Sequence, residues 1–201
     1  MRLFVVFEGG EGSGKSTQAK LLRSKLLKEG YPAVLTREPG GTPIGNRLRR
    51  LIKWDSRITI QTELLFILAA RSQLITEIIR PALNNESTVI CDRYIYSTLA
   101  YQGYGRRMDL HLLTSLCNFV TESLLPQLVV LLDMDPEESL SRLREGRDRF
   151  EREGLDFHRR VREGYLKLAA AEPERWLVID ASLSRKEIKD LIWQRVERLV
   201  D

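Results

Sequence analysis

The sequence predicts an α/β fold in which five parallel strands carry helices on both faces. Three observations point there. Short apolar runs alternate with longer helix-like segments along the whole chain, and strands separated by helices pair in parallel. Residues 128–132 are apolar without alternation, as a strand covered on both faces must be. The first run, residues 3–7, passes directly into Gly9-Gly10-Glu11-Gly12-Ser13-Gly14-Lys15-Ser16. That stretch meets the phosphate-binding pattern G-x-x-x-x-G-K-[ST] at every fixed position.

The elements follow in order. Residues 17–28 form an amphipathic helix, with Leu21, Leu22, Lys25 and Leu26 at helical spacing. Gly30 supplies its stop. A second strand covers 33–35, and the Pro- and Gly-rich stretch 36–43 is an irregular loop. A short basic helix spans about 44–53. A long one spans about 61–83 and carries Leu64, Leu65, Leu68, Leu74 and Ile78. The third strand, 88–91, ends in Asp92-Arg93-Tyr94, and helices near 94–103 and 109–123 follow. After the strand at 128–132, Asp135-Pro136-Glu137-Glu138 opens a helix with an N-cap aspartate and a first-turn proline. A fifth strand at 177–179 and a helix over about 184–199 close the chain. No repeat or linker interrupts it, so residues 1–201 read as one domain.

Composition sets the bounds. An apolar share of 43% over 201 residues suffices for a core. The net charge is only +4, yet the chain holds 24 Arg against 8 Lys, a balance suited to bidentate phosphate recognition. Cys91 and Cys117 have no metal-ligand spacing and read as reduced, buried thiols of a cytoplasmic protein. His111 and His158 are isolated. The N-terminal apolar run is too short for a signal peptide, and no segment approaches membrane length.

The glycine loop states its chemistry. Glycines let successive backbone N–H groups turn inward around a phosphate, and the following helix adds its positive end. Lys15 places a point charge on the β- and γ-phosphate oxygens, and the Ser16 hydroxyl reaches Mg²⁺. Gly9 through Thr17 are therefore the expected nucleotide-binding set. Ligands of parallel sheets bind beyond the carboxyl ends of strands, where Gly9, Glu38, Asp92 and Asp180 fall. Two acids, Asp92 and Asp133, end strands expected to flank the first. The residues alone do not choose between them as the acid on the Mg²⁺ side. No Asn-Lys-x-Asp guanine reader is present, which argues against a GTPase switch.

Several stretches together resemble thymidylate kinases, which make dTDP from dTMP and ATP. They are 8–17, Arg37-Glu38-Pro39-Gly40-Gly41-Thr42, Ala69-Ala70-Arg71, Asp92-Arg93-Tyr94, Ser97 with Ala100-Tyr101-Gln102-Gly103, Asp148-Arg149 with Glu151, and Ile179-Asp180-Ala181. The resemblance spans essentially the whole chain. It implies a P-loop NTPase fold with a mobile lid, ATP as donor, Mg²⁺ as cofactor, a step of dTTP biosynthesis and a homodimer packed through helix faces near 64–79 and 110–124. The nucleoside monophosphate region would cover about 37–107, and the lid about 142–155. The resemblance favours Asp92 over Asp133, with Glu11 and Ser16 also on the metal side, and adds Ala181 to the nucleotide contacts. Arg93 resembles the arginine that bridges the two phosphoryl groups, Arg49 the one on the dTMP phosphate and Arg71 the one on the thymine edge. Tyr101 resembles the ring that leaves no room for a 2′-hydroxyl. Glu38, Ser97, Thr98 and Gln102 complete the expected dTMP site. Relatives with glycine at the Gly12 position carry their catalytic arginine in the lid, and Arg149 matches it.

One position departs from the pattern. Relatives usually stack an aromatic ring on thymine four residues before the Arg71 position, and this chain has Ile67 there, with Phe66 one step earlier. Successive helix residues point about 100° apart, so Phe66 is no simple substitute. Residues 142–162 hold eight arginines, at 142, 144, 147, 149, 152, 159, 160 and 162, with five acids interleaved. Such neutralisation argues against a nucleic-acid arm, and the arginines other than Arg149 read mostly as a solvated face. Another P-loop phosphotransferase, such as a deoxynucleoside kinase, is the rival within the class. An ATP-dependent switch or nucleic-acid-binding NTPase is the rival outside it.

Overall fold

The computed structural model describes residues 3–143 and 148–200. Its sheet is all-parallel, in the order β2 (Ala33–Arg37), β3 (Thr88–Asp92), β1 (Phe4–Gly9), β4 (Leu128–Asp133), β5 (Trp176–Asp180). Register lines up the functional strand ends. Phe7 lies opposite Asp92, Gly9 opposite Leu132, and Asp133 opposite Asp180.

Alternating side chains of each central strand feed two cores. On one face Phe4, Val6, Val89, Cys91, Val129 and Leu131 pack against α3 (Ile60–Leu74), α6 (Leu110–Thr121) and α8 (Leu155–Ala171). On the other Val5, Phe7, Ile90, Leu128, Val130 and Leu132 pack against α1 (Lys15–Lys28) and α9 (Arg185–Val200). Burying such a side chain contributes about 1.5–3 kcal/mol. Both faces are committed, so β1, β3 and β4 have no freedom to slip.

Four further helices complete the described fold. They are α2 (Pro43–Trp54), α4 (Arg80–Asn84), α5 (Ile95–Thr98) and α7 (Pro136–Ser141). Thr42 caps α2, its hydroxyl accepting from Gly45 N–H at 3.0 Å, and Asp135 caps α7, accepting from Glu137 N–H at 2.9 Å. The long predicted helix is found, but its middle turn, Ile75–Ile79, is π-helical. A second π-helical stretch, Leu99–Gly105, continues α5 and carries Tyr101 and Gln102. The extra residue per turn re-aims side chains, which is why such turns collect at functional sites.

One element lay hidden under the arginine run. Helix α8 points Phe157, Val161, Tyr165 and Ala169 into the core at four-residue spacing. Arg160 and Arg162 are correspondingly not a merely solvated face. Arg160 donates to Gly105 C=O at 2.9 Å, and Arg162 forks onto Asp133 at 2.8 and 2.9 Å. Of the predicted lid, Arg144, Glu145, Gly146 and Arg147 lie outside the described residues. Among the described residues, no helix is long and apolar enough to cross a membrane.

Candidate active site

The glycine loop joins β1 to α1. Its curvature demands glycine at Gly12, where φ is +74° and a Cβ would stand 2.4 Å from the Ser139 carbonyl oxygen. Gly14, at φ +91°, begins the helix and takes the Thr17 and Gln18 amides at 3.1 Å each. Lys15 is buried and curls back over the loop, donating to Gly10 C=O and to Ser13 Oγ. Burial, and then the charge of Arg93, pull its ammonium down to about 8.

Beside the loop the Ser16 hydroxyl donates to the Asp92 carboxylate. Two hard oxygen ligands at the phosphate cradle suit Mg²⁺, which fills its other positions with water and phosphate oxygens. Asp133, the other strand-end acid, accepts the Arg162 fork instead. Glu11 shares the loop cleft with Ser16. Its carboxylate accepts from Arg93 Nη2 at 2.7 Å and from the Tyr101 hydroxyl at 2.9 Å. Burial would raise Glu11, but Arg93 and then Lys15 outweigh it and hold the carboxyl down to about 2.

Arg93 is the centre of the arrangement. Its backbone is in the left-handed region at φ +74°, uncommon for a residue with a side chain. The guanidinium donates to Gly9 C=O, Ser97 Oγ and the Tyr165 hydroxyl, each at 3.1 Å, besides Glu11 and the Tyr101 hydroxyl at 3.0 Å. Behind it stands Glu8, fully buried at the end of β1. Glu8 accepts from Tyr94 N–H at 2.9 Å, Ser97 Oγ at 2.6 Å and the Tyr165 hydroxyl at 2.8 Å. Its burial raises the carboxyl, against the pull of Arg93. The role of Glu8 was not assigned from sequence, though a carboxylate ending an apolar strand is the visible signal. Tyr165 was missed with its helix.

Two clefts meet here. One, of about 780 Å³, follows the loop past Lys15, Ser16, Thr17, Arg37 and Asp92. The other, of about 590 Å³, runs from Glu38 and Pro39 past Ile52, Ile67 and Arg71 to Tyr101, Gln102 and Phe150. Among the described residues, only Glu11, Glu38, Arg49 and Arg93 line both. Arg49 is thus distinguished from its exposed neighbours Arg47 and Arg50, and it donates to Pro39 C=O at 2.9 Å.

The second cleft has a polar wall. Arg71, only 1% exposed, donates to Glu38 at 2.6 Å, Tyr94 C=O at 3.0 Å, Thr98 Oγ1 at 2.9 Å and Cys117 Sγ at 3.4 Å. A guanidinium has five donors, so one is left for a ligand. Burial pushes Glu38 up to about 7 while Arg71 pulls the other way, and its Oε1 has no partner. Ile67 is buried and lines the cleft, whereas Phe66 is half-buried and does not.

Two expected residues stand apart. Ala181 is buried after β5, its N–H donating to Asp133 C=O at 2.8 Å, and it lines neither cleft. Arg149 lines neither cleft, although its neighbours Asp148 and Phe150 line the second. It donates to Glu63 and to Ile52 C=O at 3.1 Å, while Asp148 beside it pairs with Lys53. Both cysteines are free and buried, and His158 is buried next to Phe157.

A protein-family model described as thymidylate kinase matches residues 7–192. The chain belongs to the thymidylate kinase family. It is 49% identical over 205 residues to a thymidylate kinase of Dehalococcoides mccartyi, covering 100% of this chain and 98% of that one. It is 48% identical over 198 residues to a thymidylate kinase of Deinococcus radiodurans, covering 96% of each. The crystal structure of thymidylate kinase from Ehrlichia chaffeensis superposes with a TM-score of 0.77 at 34% identity, over 99% of this chain and 98% of that one. Within this family the P-loop fold, with its five parallel strands, is accounted for.

Proposed function

We propose that the protein transfers the γ-phosphoryl group of ATP to dTMP, giving dTDP. The observation that carries this reading is the meeting of a phosphate-loop cleft with an apolar, arginine-walled cleft at Arg93 and Arg49. A donor phosphate in one and an acceptor phosphate in the other would both face those cations. Phosphoryl transfer needs little covalent chemistry, and positioning with charge compensation supplies most of it. Lys15 and the loop amides hold the donor, Arg93 and Arg49 bring the acceptor into line, and Glu8 with Ser97 and Tyr165 fixes Arg93. Ser16 and Asp92 would hold Mg²⁺, whose chemistry is to neutralise phosphate charge. Glu11 bridges Arg93 to Tyr101, which packs below the sugar. Arg71, Thr98, Gln102 and Ile67 surround the base. A coupled assay of ADP formation should show dTMP used far faster than AMP, GMP, CMP or the ribose analogue of dTMP. Equal turnover of AMP would overturn the reading.

The exposed Leu65, Leu112 and Phe119, the last 79% exposed, sit on the adjoining helices α3 and α6. They support a homodimer through that face. A cytoplasmic setting accords with two free thiols.

The base pocket yields a separate prediction. An aromatic platform is worth roughly 1–3 kcal/mol per base. Ile67→Phe should therefore lower the KM for dTMP without raising kcat, because stacking acts alike on ground and transition states. Overpacking, at about 1–3 kcal/mol, is the opposing effect. Phe66→Leu should cost stability and leave KM alone. A raised KM in Phe66→Leu with no change in Ile67→Phe would mean that Phe66 is the platform.

A further inference from the structure

Glu63, in the first turn of α3, is fully buried and lines neither cleft. Its two oxygens divide their partners. Oε1 accepts from Gln102 Nε2 at 2.6 Å. Oε2 accepts from Arg106 Nη2 at 3.3 Å and from Arg149 Nη2. Departure of Arg149 toward the phosphates would therefore leave the Gln102 bond in place.

This bond decides which end of an amide the base meets. The two ends of a glutamine amide have nearly the same shape and opposite hydrogen-bonding character, and their neighbours choose the orientation. A carboxylate flanked by two guanidinium groups accepts from its third neighbour. Gln102 must turn its NH₂ toward Glu63, which leaves its carbonyl oxygen for the cleft that it lines. Arg71, on the same wall, offers donors only. An acceptor beside a donor complements thymine, whose N3–H donates and whose neighbouring O4 accepts. Cytosine reverses both positions, with an acceptor at N3 and an amino group at C4.

We infer that Glu63 is a specificity-determining positioning residue, which selects thymine over cytosine by locking the Gln102 amide with its carbonyl toward the base. The inference rests on the dTMP kinase reading. It assigns to a residue with no contact to the cleft the task of rejecting a pyrimidine of nearly equal size.

The test compares kcat/KM for dTMP and dCMP in the wild type, Glu63→Gln, Gln102→Leu and the double variant. With glutamine at 63 the neighbour can donate as well as accept, so Gln102 is free to turn over. The dTMP/dCMP ratio should fall roughly 10- to 100-fold, the effect of one mismatched buried hydrogen bond, and mostly through KM. Gln102→Leu should lower the ratio similarly, and the double variant no further than Gln102→Leu alone, because Glu63 acts through that amide. A merely structural Glu63 would depress both substrates together, and an unchanged ratio in Glu63→Gln would overturn the inference. Should Glu63→Gln not fold, Glu63→Asp keeps the charge for Arg106 and Arg149 but withdraws from Gln102, and the same ratio decides. Absence of dTMP turnover in the wild type would overturn the kinase reading instead.

Discussion

Replacing Lys15 with alanine is expected to lower kcat by more than roughly 10³-fold. The ammonium lies inside the loop, bonded to Gly10 C=O and Ser13 Oγ, and a phosphate entering the cradle would take over those bonds. Two other cations of the site are engaged elsewhere. Arg93 is spread over Glu11, Tyr101, Tyr165, Ser97 and Gly9, and Arg149 is held at Glu63. Gly12 cannot become a substitute, since any side chain there would meet Ser139. The same charge fixes a pH limb. Lys15 holds phosphate only while protonated, and burial brings it down to about 8. In the free enzyme, kcat/KM for ATP should therefore fall as pH rises through about 8. Retention of kcat within tenfold of wild type in Lys15→Ala would remove this residue from the transfer step.

How much of this was legible in the sequence depends on range. Strands β1, β3 and β4 are apolar on both faces, so their place at the centre of a parallel sheet follows from local pattern. The loop follows from its motif, whereas Asp92 was preferred to Asp133 only through the family resemblance. Helix α8 has as clean a periodicity, Phe157, Val161, Tyr165 and Ala169, but a charge run crosses its first turns and masks it. Glu8, Glu63 and Lys53 could not be assigned from spacing. Glu8 meets Tyr165, 157 residues on, and Lys53 meets Asp148, 95 residues on. Only packed coordinates place such partners together. The π-helical turn under Tyr101 and Gln102 is a further case, because nothing in its residues announces the extra unit per turn.

Arg149→Ala is expected to lower kcat on the order of 10³-fold, about 4 kcal/mol in the barrier, with little change in dTMP affinity. In phosphoryl transfer, charge spreads over the equatorial oxygens of the moving group, and an arginine that arrives on closure stabilises it. The loop offers no such cation beyond Lys15, since position 12 is closed to side chains. In this structure Arg149 is tied to Glu63 and the Ile52 carbonyl, while its own amide N–H donates to Lys53 C=O at 3.0 Å. Reaching the donor phosphates means exchanging a buried carboxylate for a triphosphate, both anionic partners of a guanidinium fork. The exchange keeps the charge paired at each end, so the swing carries no large electrostatic penalty. Loss of the arginine should then appear in kcat, because under the proposed mechanism its contact with the phosphoryl group would form only on closure. Arg149→Lys should recover part of the loss, since an ammonium restores charge but not the planar fork. Near-wild-type kcat in Arg149→Ala, with collapse in Arg144→Ala or Arg147→Ala, would assign the role to a different arginine of the same run.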